Sequence, residues 1–274
     1  MDARTLVGNI ARHSPRGRSR AANWLRRHPG NGPIEFVDAT GHRRTADLRD
    51  HFESQWFAGV RLGLPNGVLD RVGPGDWAID IGANIGVVTG QLATRVGASG
   101  HAWAIEPVPR NCQRLRDLRE RNGLEMIRSF DVALGAADGT LTLRLPPQGG
   151  SAWASVTASW INGDKITVPV RSLDSLVAEH GIEAKLAVIK IDVEGYEAQV
   201  LAGATETLAR FRPLLDVEFN DEILRDAGSS SVELLARFQD AGYRAVDEAG
   251  STAASLHIRV VDLLLEPAVA RAGS

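Results

Sequence analysis

The feature that most constrains this chain is the stretch 77–106, where two short apolar segments flank a glycine-rich turn and a helix. Trp77–Ile81 is short, apolar and β-prone, which suits a strand buried on both faces. Gly82, Ala83, Asn84 and Gly86 follow directly, where the chain must pass from that strand into a helix expected over Gly86–Val96. Glycine permits positive φ and a close approach of backbone to a ligand. A second apolar strand, His101–Ile105, ends on Glu106 and Pro107. Strand, glycine turn, helix, strand and terminal acid is the layout of a nucleotide-type cofactor site, in which the acid grips two ribose hydroxyls.

One such unit commits the chain to an open α/β sheet. Gly73-Pro74-Gly75 is a hard stop ahead of its first strand. Beyond it, strands are expected at Met126–Leu134, Thr140–Leu145, Ile166–Val170, Leu186–Ile191 and Pro213–Phe219. Helices are expected at Arg110–Asn122, Leu173–His180, Glu197–Ala209 and Val232–Ala241. Tyr243–Val246 and His257–Leu264 close the sheet as an antiparallel pair. The alternation predicts an α/β fold of the Rossmann-like type: doubly wound, mostly parallel, seven-stranded, with an antiparallel strand near the C-terminus and an N-terminal helical extension. Thr45–Val72 reads as helical with a break at Gly63–Gly67. The division follows as a basic arm over 1–44, partly disordered or helical, and one domain over 45–274.

Over the first 27 residues of that arm, Arg4, Arg12, Arg16, Arg18, Arg20, Arg26 and Arg27 face only Asp2. It is a solvated tail or, alternatively, a peripheral contact with an anionic membrane. A net charge of −3 argues against a general nucleic-acid binder. A single cysteine, Cys112, excludes an internal disulfide framework, and no run of about 18 apolar residues is available to span a membrane. A cytoplasmic location is expected. Lysine occurs only at 165, 185 and 190, a skew toward arginine that points to a GC-rich, bacterial source.

Which cofactor the turn takes depends on its details. A dinucleotide site cradles a pyrophosphate on a Gly-x-Gly-x-x-Gly turn at a helix N-terminus. Here Asn84 stands for the middle glycine, and Asp80 sits just before the turn, where it would repel phosphate but suit a cation. S-adenosylmethionine (SAM) has no phosphate and carries an ammonium and a sulfonium, so Asp80 favours SAM over NAD. An NAD-dependent oxidoreductase remains the alternative, with Asp80 then a helix cap, but no Tyr-x-x-x-Lys pair exists, since neither Tyr196 nor Tyr243 has lysine four residues on.

The segment Gly75–Gly86 resembles the opening of the FkbM-type family of class I SAM-dependent methyltransferases. So do Glu106-Pro107-Val108-Pro109-Arg110-Asn111, Val132-Ala133-Leu134-Gly135 with Asp138-Gly139, and Val168-Pro169-Val170 with Leu173-Asp174. The most specific match is Ile189-Lys190-Ile191-Asp192-Val193-Glu194-Gly195-Tyr196-Glu197. The resemblance implies SAM-dependent O-methyl transfer to a hydroxyl of a sugar, glycan or specialised metabolite; a noncatalytic SAM-binding subunit is the alternative. It also implies roles. Gly82, Ala83, Asn84 and Gly86 would line the methionine portion with Asp80 near its ammonium. Glu106, with Pro107, would hold the ribose. Asp131 would accept from the adenine amine and Val132 would wall the ring.

The catalytic candidates gather after the expected fourth strand. Asp192 follows it at the carboxyl edge, where open α/β sheets bind ligands. Lys190 lies two residues before, on the same strand face, so the two form an ion pair that fixes the strand end or serves the reaction. Asp192 is the candidate base or acceptor-orienting group, with Glu194, Lys190 and Glu218 beside it. No metal is expected; the set that would suit Mg²⁺, an oxygen-seeking ion, is Asp192, Glu218 and Asn220. Trp153, Ser155 and Trp160, in the turn-rich loop 146–163, are expected to shape the acceptor pocket.

Overall fold

The computed structural model describes residues 17–60, 62–146, 163–246 and 260–268, together with Arg4 and Val7. Its first elements differ from the sequence expectation. Helix α1 (Arg18–Arg27) buries Ala22 and Leu25 while Arg20, Arg26 and Arg27 face solvent. Strands β1 (Ile34–Val37) and β2 (Arg43–Ala46) then form an antiparallel hairpin. Helix α2 (His51–Phe57) starts at Asp50, whose carboxylate accepts the backbone N–H of Glu53. Helix α3 (Asn66–Leu69) is a single turn. Thr45–Val72 is therefore not one interrupted helix. It begins in a strand, because Arg44 and Ala46 alternate inward against Ile34, and its two helices are separated by all of 58–65. The division drawn after residue 44 falls inside β2.

Four strands match the expected bounds: β3 (Trp77–Ile81), β4 (His101–Ile105) and, further on, β9 (Leu186–Ile191) and β11 (Tyr243–Val246). Helix α4 (Val87–Val96) follows β3, and α5 (Pro109–Asn122) follows β4 with proline in its first turn, where the missing N–H costs nothing. Strand β5 (Ile127–Phe130) ends before Asp131, and β6 (Ala133–Leu134) belongs to another sheet. The expected strand 126–134 is thus two: β5 pairs with β4, while β6 pairs with β8 in a three-stranded sheet built with the antiparallel pair β7 (Gly139–Arg144) and β8 (Lys165–Arg171).

Helix α6 (Leu173–His180) precedes β9 (Leu186–Ile191). The helix expected over 197–209 is also two, α7 (Glu197–Ala202) and α8 (Thr205–Phe211). Gly203 separates them, since a Cβ there would lie 2.0 Å from the Gly135 carbonyl oxygen, and Asp174 caps α8 by accepting the N–H groups of Glu206 and Thr207. Strand β10 (Leu214–Asn220), helices α9 (Asp221–Asp226) and α10 (Ser231–Asp240), and strands β11 (Tyr243–Val246) and β12 (Val260–Pro267) complete the chain.

The main sheet has seven strands in the order β11-β12-β10-β9-β3-β4-β5. All are parallel except β12, which is antiparallel to both neighbours. This is the doubly wound, mostly parallel, Rossmann-like sheet that the alternation of strands and helices predicts. Its central strands are largely apolar, broken at Asp80, Lys190, Asp216 and Glu218, because helices cover both faces: Ile79, Val188, Ile189, Leu215 and Val217 are wholly buried. Each such side chain contributes about 1.5–3 kcal/mol. Among the described residues no helix is long and apolar enough to cross a membrane.

Candidate active site

The carboxyl ends of β3, β4, β9 and β10 open onto one cavity of about 360 Å³. The turn after β3 forms its floor and is held in an unusual conformation. Gly82, Asn84 and Gly86 all have positive φ, at 80°, 50° and 81°. Gly82 is required by packing as well as by φ, because a Cβ there would lie 1.8 Å from the Asp192 carbonyl oxygen. Asn84 is a residue that tolerates the left-handed region. Its Oδ1 is buried with no hydrogen-bond partner, a state that costs about 1–3 kcal/mol unless a ligand donor relieves it.

Two acids bracket this turn. Asp80, 2% exposed, accepts from the Thr89 hydroxyl at 2.6 Å and stands in register with Lys190 on β9. Burial pushes its carboxyl up to about 6. It caps no helix, since the residue at the α4 N-cap is Gly86. Glu106 accepts the backbone N–H of Asn84 at 2.8 Å through Oε2 and that of Val108 at 2.9 Å through Oε1. The Asn111 amide adds a third bond at 3.3 Å. Glu106 thereby ties the turn after β3 to the turn after β4. Burial raises it to about 7, against these hydrogen bonds. Pro107, Val108 and Val132 add apolar wall, and Ala83 lines the floor.

The ends of β9 and β10 carry the second group. Lys190 Nζ lies 3.0 Å from Asp216, 2.5 Å from Asp262 and 3.8 Å from Asp192. Burial alone would lower Lys190, but Asp192, Asp216 and Asp262 outweigh it and hold the ammonium charged. Asp192, Glu194 and Glu218 each offer a carboxylate oxygen within 4.8 Å of the others. Burial, then the neighbouring acids, push Glu194 up to about 9 and Glu218 up to about 8. Asp192 is also raised by burial but opposed by Lys190. Glu194 sits at φ 51°, in a turn fixed by Glu197, whose Oε1 accepts the N–H groups of Val193 and Gly195.

Most of the residues singled out from sequence meet in this cavity: Asp80, Gly82, Ala83, Asn84, Glu106, Pro107, Val132, Lys190, Asp192, Glu194 and Glu218 all line it. Gly86 stands behind the turn, where a Cβ would lie 2.7 Å from the Leu115 side chain. Two residues are elsewhere. Asp131 is half-exposed and pairs with Arg116 at 2.8 Å, because β5 ends before it and turns it toward α5. Asn220 caps α9 by accepting the Ile223 N–H, so the third oxygen beside Asp192 and Glu218 comes from Glu194. Trp153, Ser155 and Trp160 lie outside the described residues. Sequence reasoning missed Phe52, Leu62, Leu141, Tyr196 and Asp262 as lining residues. For Asp262 a signal exists: it is the one charge in the apolar run 260–265, and β12 pairs it opposite Glu218.

Residues 80–245 match the family profile of the methyltransferase FkbM domain. The chain is similar to the 2-O-methyltransferase NoeI of Sinorhizobium fredii, with 29% identity over 160 residues, 53% of this chain and 64% of that protein. It is similar to the hexuronic acid methyltransferase AglP of Haloferax volcanii, with 28% identity over 141 residues, 52% of this chain and 55% of that protein. The chain thus spans less than two thirds of the length of these relatives. Among solved structures, a methyltransferase FkbM from Methylobacillus flagellatus superposes with a TM-score of 0.40 at 19% identity, covering 75% of this chain and 44% of that one.

Proposed function

The chain belongs to the FkbM methyltransferase family, and from that membership and its cavity we propose that it transfers a methyl group from SAM to a hydroxyl of a sugar or glycan. The observation that carries the reading is the floor of the cavity. Two buried acids, Asp80 and Glu106, flank a left-handed turn whose Asn84 Oδ1 lacks a partner. An ammonium donor near Asp80 and Asn84, and ribose hydroxyls at Glu106, suit these groups; a pyrophosphate beside Asp80 does not. When bound, SAM supplies a methyl group activated by its sulfonium.

The rest of the chemistry belongs to the chain. An alcohol is a poor nucleophile, so its proton has to be taken, a contribution of about 10²–10⁴-fold. Asp192 is the best base of the acid cluster, because Lys190 at 3.8 Å favours its anionic form while Glu194 and Glu218 are raised well above the usual carboxylate range. Glu194 and Glu218, protonated near neutral pH, donate hydrogen bonds to the acceptor and orient it. Orientation is the larger contribution, about 7–11 kcal/mol. The hexuronic acid named for AglP and the 2-O-methyl transfer named for NoeI support a carbohydrate hydroxyl as acceptor rather than a nucleic acid, and the net charge of −3 agrees. A cytoplasmic reaction is part of the same proposal.

The test is a pair of measurements. Thermal melts with SAM, with its demethylated product and with NAD, on wild type and Glu106→Ala, should show a rise with the first two that weakens in the variant. Ligand at about 100 times Kd adds roughly 2.7 kcal/mol. Mass spectrometry of a panel of mono- and oligosaccharides should then show gain of one methyl group. A rise with NAD alone, or methylation of amines and not hydroxyls, would overturn the proposal.

A further inference from the structure

Arg44 lies in β2, upstream of the family-matched segment, and does not line the cavity. Its guanidinium is nevertheless buried, with the side chain 4% exposed. Nε donates to Asp38 Oδ2 at 2.9 Å, Nη2 donates to the Gly86 carbonyl at 2.7 Å, and Nη1 reaches the Ile85 carbonyl at 3.3 Å. Trp56 lies 5.1 Å from the guanidinium carbon, at its ring centroid. Asp38 is itself fixed by the hairpin loop, since its Oδ1 accepts from the Thr40 hydroxyl and from the backbone N–H groups of Thr40 and His42.

A second observation bears on the same contact. Gly90 occupies the interior of α4, where glycine weakens a helix. A Cβ at this position would lie 2.5 Å from Arg44 Nη2 and 3.2 Å from His42 Nδ1. The helix is notched where the guanidinium crosses it.

We propose that Arg44, braced by Asp38 and seated in the notch at Gly90, is a positioning residue that holds the Asn84-bearing turn in the geometry that receives the cofactor. The inference rests on the SAM reading above. Asn84 holds φ 50° between two positive-φ glycines, and a non-glycine residue in that region persists only where the surroundings over-determine it. Glu106 holds the turn from inside, at the Asn84 N–H. Arg44 holds its far end from outside, at the carbonyls of Ile85 and Gly86. Hydrogen bonds from a charged donor are stronger than neutral ones, and the planar fork of arginine spans two adjacent carbonyls as lysine cannot. The cofactor turn of the family domain is thus clamped by a hairpin outside that domain.

The experiment is calorimetric titration of SAM into the full chain, for wild type, Arg44→Lys, Arg44→Ala, Gly90→Ala and Arg121→Ala, with circular dichroism and melts on each. Arg121 pairs with Glu35 at 2.8 Å and ties the same hairpin to α5 without touching the turn. Arg44→Lys and Gly90→Ala should each weaken SAM by about tenfold, equivalent to about 1.4 kcal/mol, with KM for the acceptor unchanged. Arg121→Ala should keep wild-type affinity. In Arg44→Ala with Gly90→Ala, binding should be no weaker than in Arg44→Ala alone, because both act through one contact. If Arg44→Ala fails to fold, Gly90→Ala decides, since alanine strengthens a helix while displacing the guanidinium. Wild-type affinity in folded Arg44→Lys and Gly90→Ala overturns the inference, as does an equal loss in Arg121→Ala. A wild-type chain that does not bind SAM overturns the methyltransferase reading itself, a separate result.

Discussion

The acid cluster makes the stability of this protein depend on pH in a direction opposite to that of most carboxylates. Glu194 is the clearest case, pushed from 4.5 to about 9 by burial and by the charges of Glu218 and Asp192. The folded chain holds this proton more tightly than the unfolded chain. The stabilisation is therefore fully present below about pH 4.5 and is lost progressively as pH rises toward 9. Glu194→Gln keeps the shape and donor capacity of the protonated acid but removes the titration. One pKa unit is about 1.4 kcal/mol, and with solvent reaching this cavity wall we expect a net gain of about 2 kcal/mol for the variant at pH 8. At roughly 2–4 °C per kcal/mol, its Tm should exceed wild type by about 4–8 °C at pH 8 and by little at pH 5. Melts of both proteins in steps from pH 5 to 9 test this. A difference independent of pH, or a variant less stable at pH 8, would refute the reasoning and mean that Glu194 is charged in the folded protein.

Three further outcomes follow from the same geometry. Asp192→Asn should lower turnover by about 10²–10⁴-fold while SAM affinity, measured by titration, stays within about twofold; undiminished turnover would sink its role as base. Exhaustive chelation should leave turnover unchanged, because the Lys190 ammonium already stands against Asp192, Asp216 and Asp262. Loss of activity restored by Mg²⁺ would instead assign Asp192, Glu194 and Glu218 as ligands. Phe52→Ala should raise KM for the acceptor more than it raises Kd for SAM, and the reverse order would move Phe52 to the cofactor side of the cavity.

How much of this was legible depends on how local the cause is. β3, β4 and β9 end where the sequence says because strands buried on both faces need continuous apolar runs, and a glycine or an acid stops each one. The break at Asp131 is not legible: Val132, Ala133 and Leu134 continue the apolar run, and only their pairing with β8 draws them into another sheet. The hairpin β1–β2 is hidden for a related reason. Its inward residue Arg44 is charged, and burial is possible only because Asp38 and two turn carbonyls satisfy it. Asn220 shows the converse, since an asparagine ahead of a helix is a local capping signal, and that signal outranks the placement near Glu218 that made it look like a ligand.

The cavity divides along the same line between local and distant causes. Its floor and its acids, from Asp80 to Glu218, lie within residues 80–245, where the chain matches its family. Phe52, Leu62, Gly63 and Asp262 line the same cavity from outside that segment. Asp262 reaches it only through the antiparallel pairing of β12 with β10, and Phe52 only because the hairpin and α2 dock on α5, where Arg110 and Arg114 pair with Glu53. A family that shares one methyl donor needs the floor held constant, whereas the acceptor varies. Walls contributed by flanking segments can change without disturbing the turn at Asn84, provided that contacts such as Arg44 on Gly86 are kept. Acceptor selectivity in this chain is therefore expected to follow residues 52–63 and 262, and the donor site to follow the strand ends of β3 and β4.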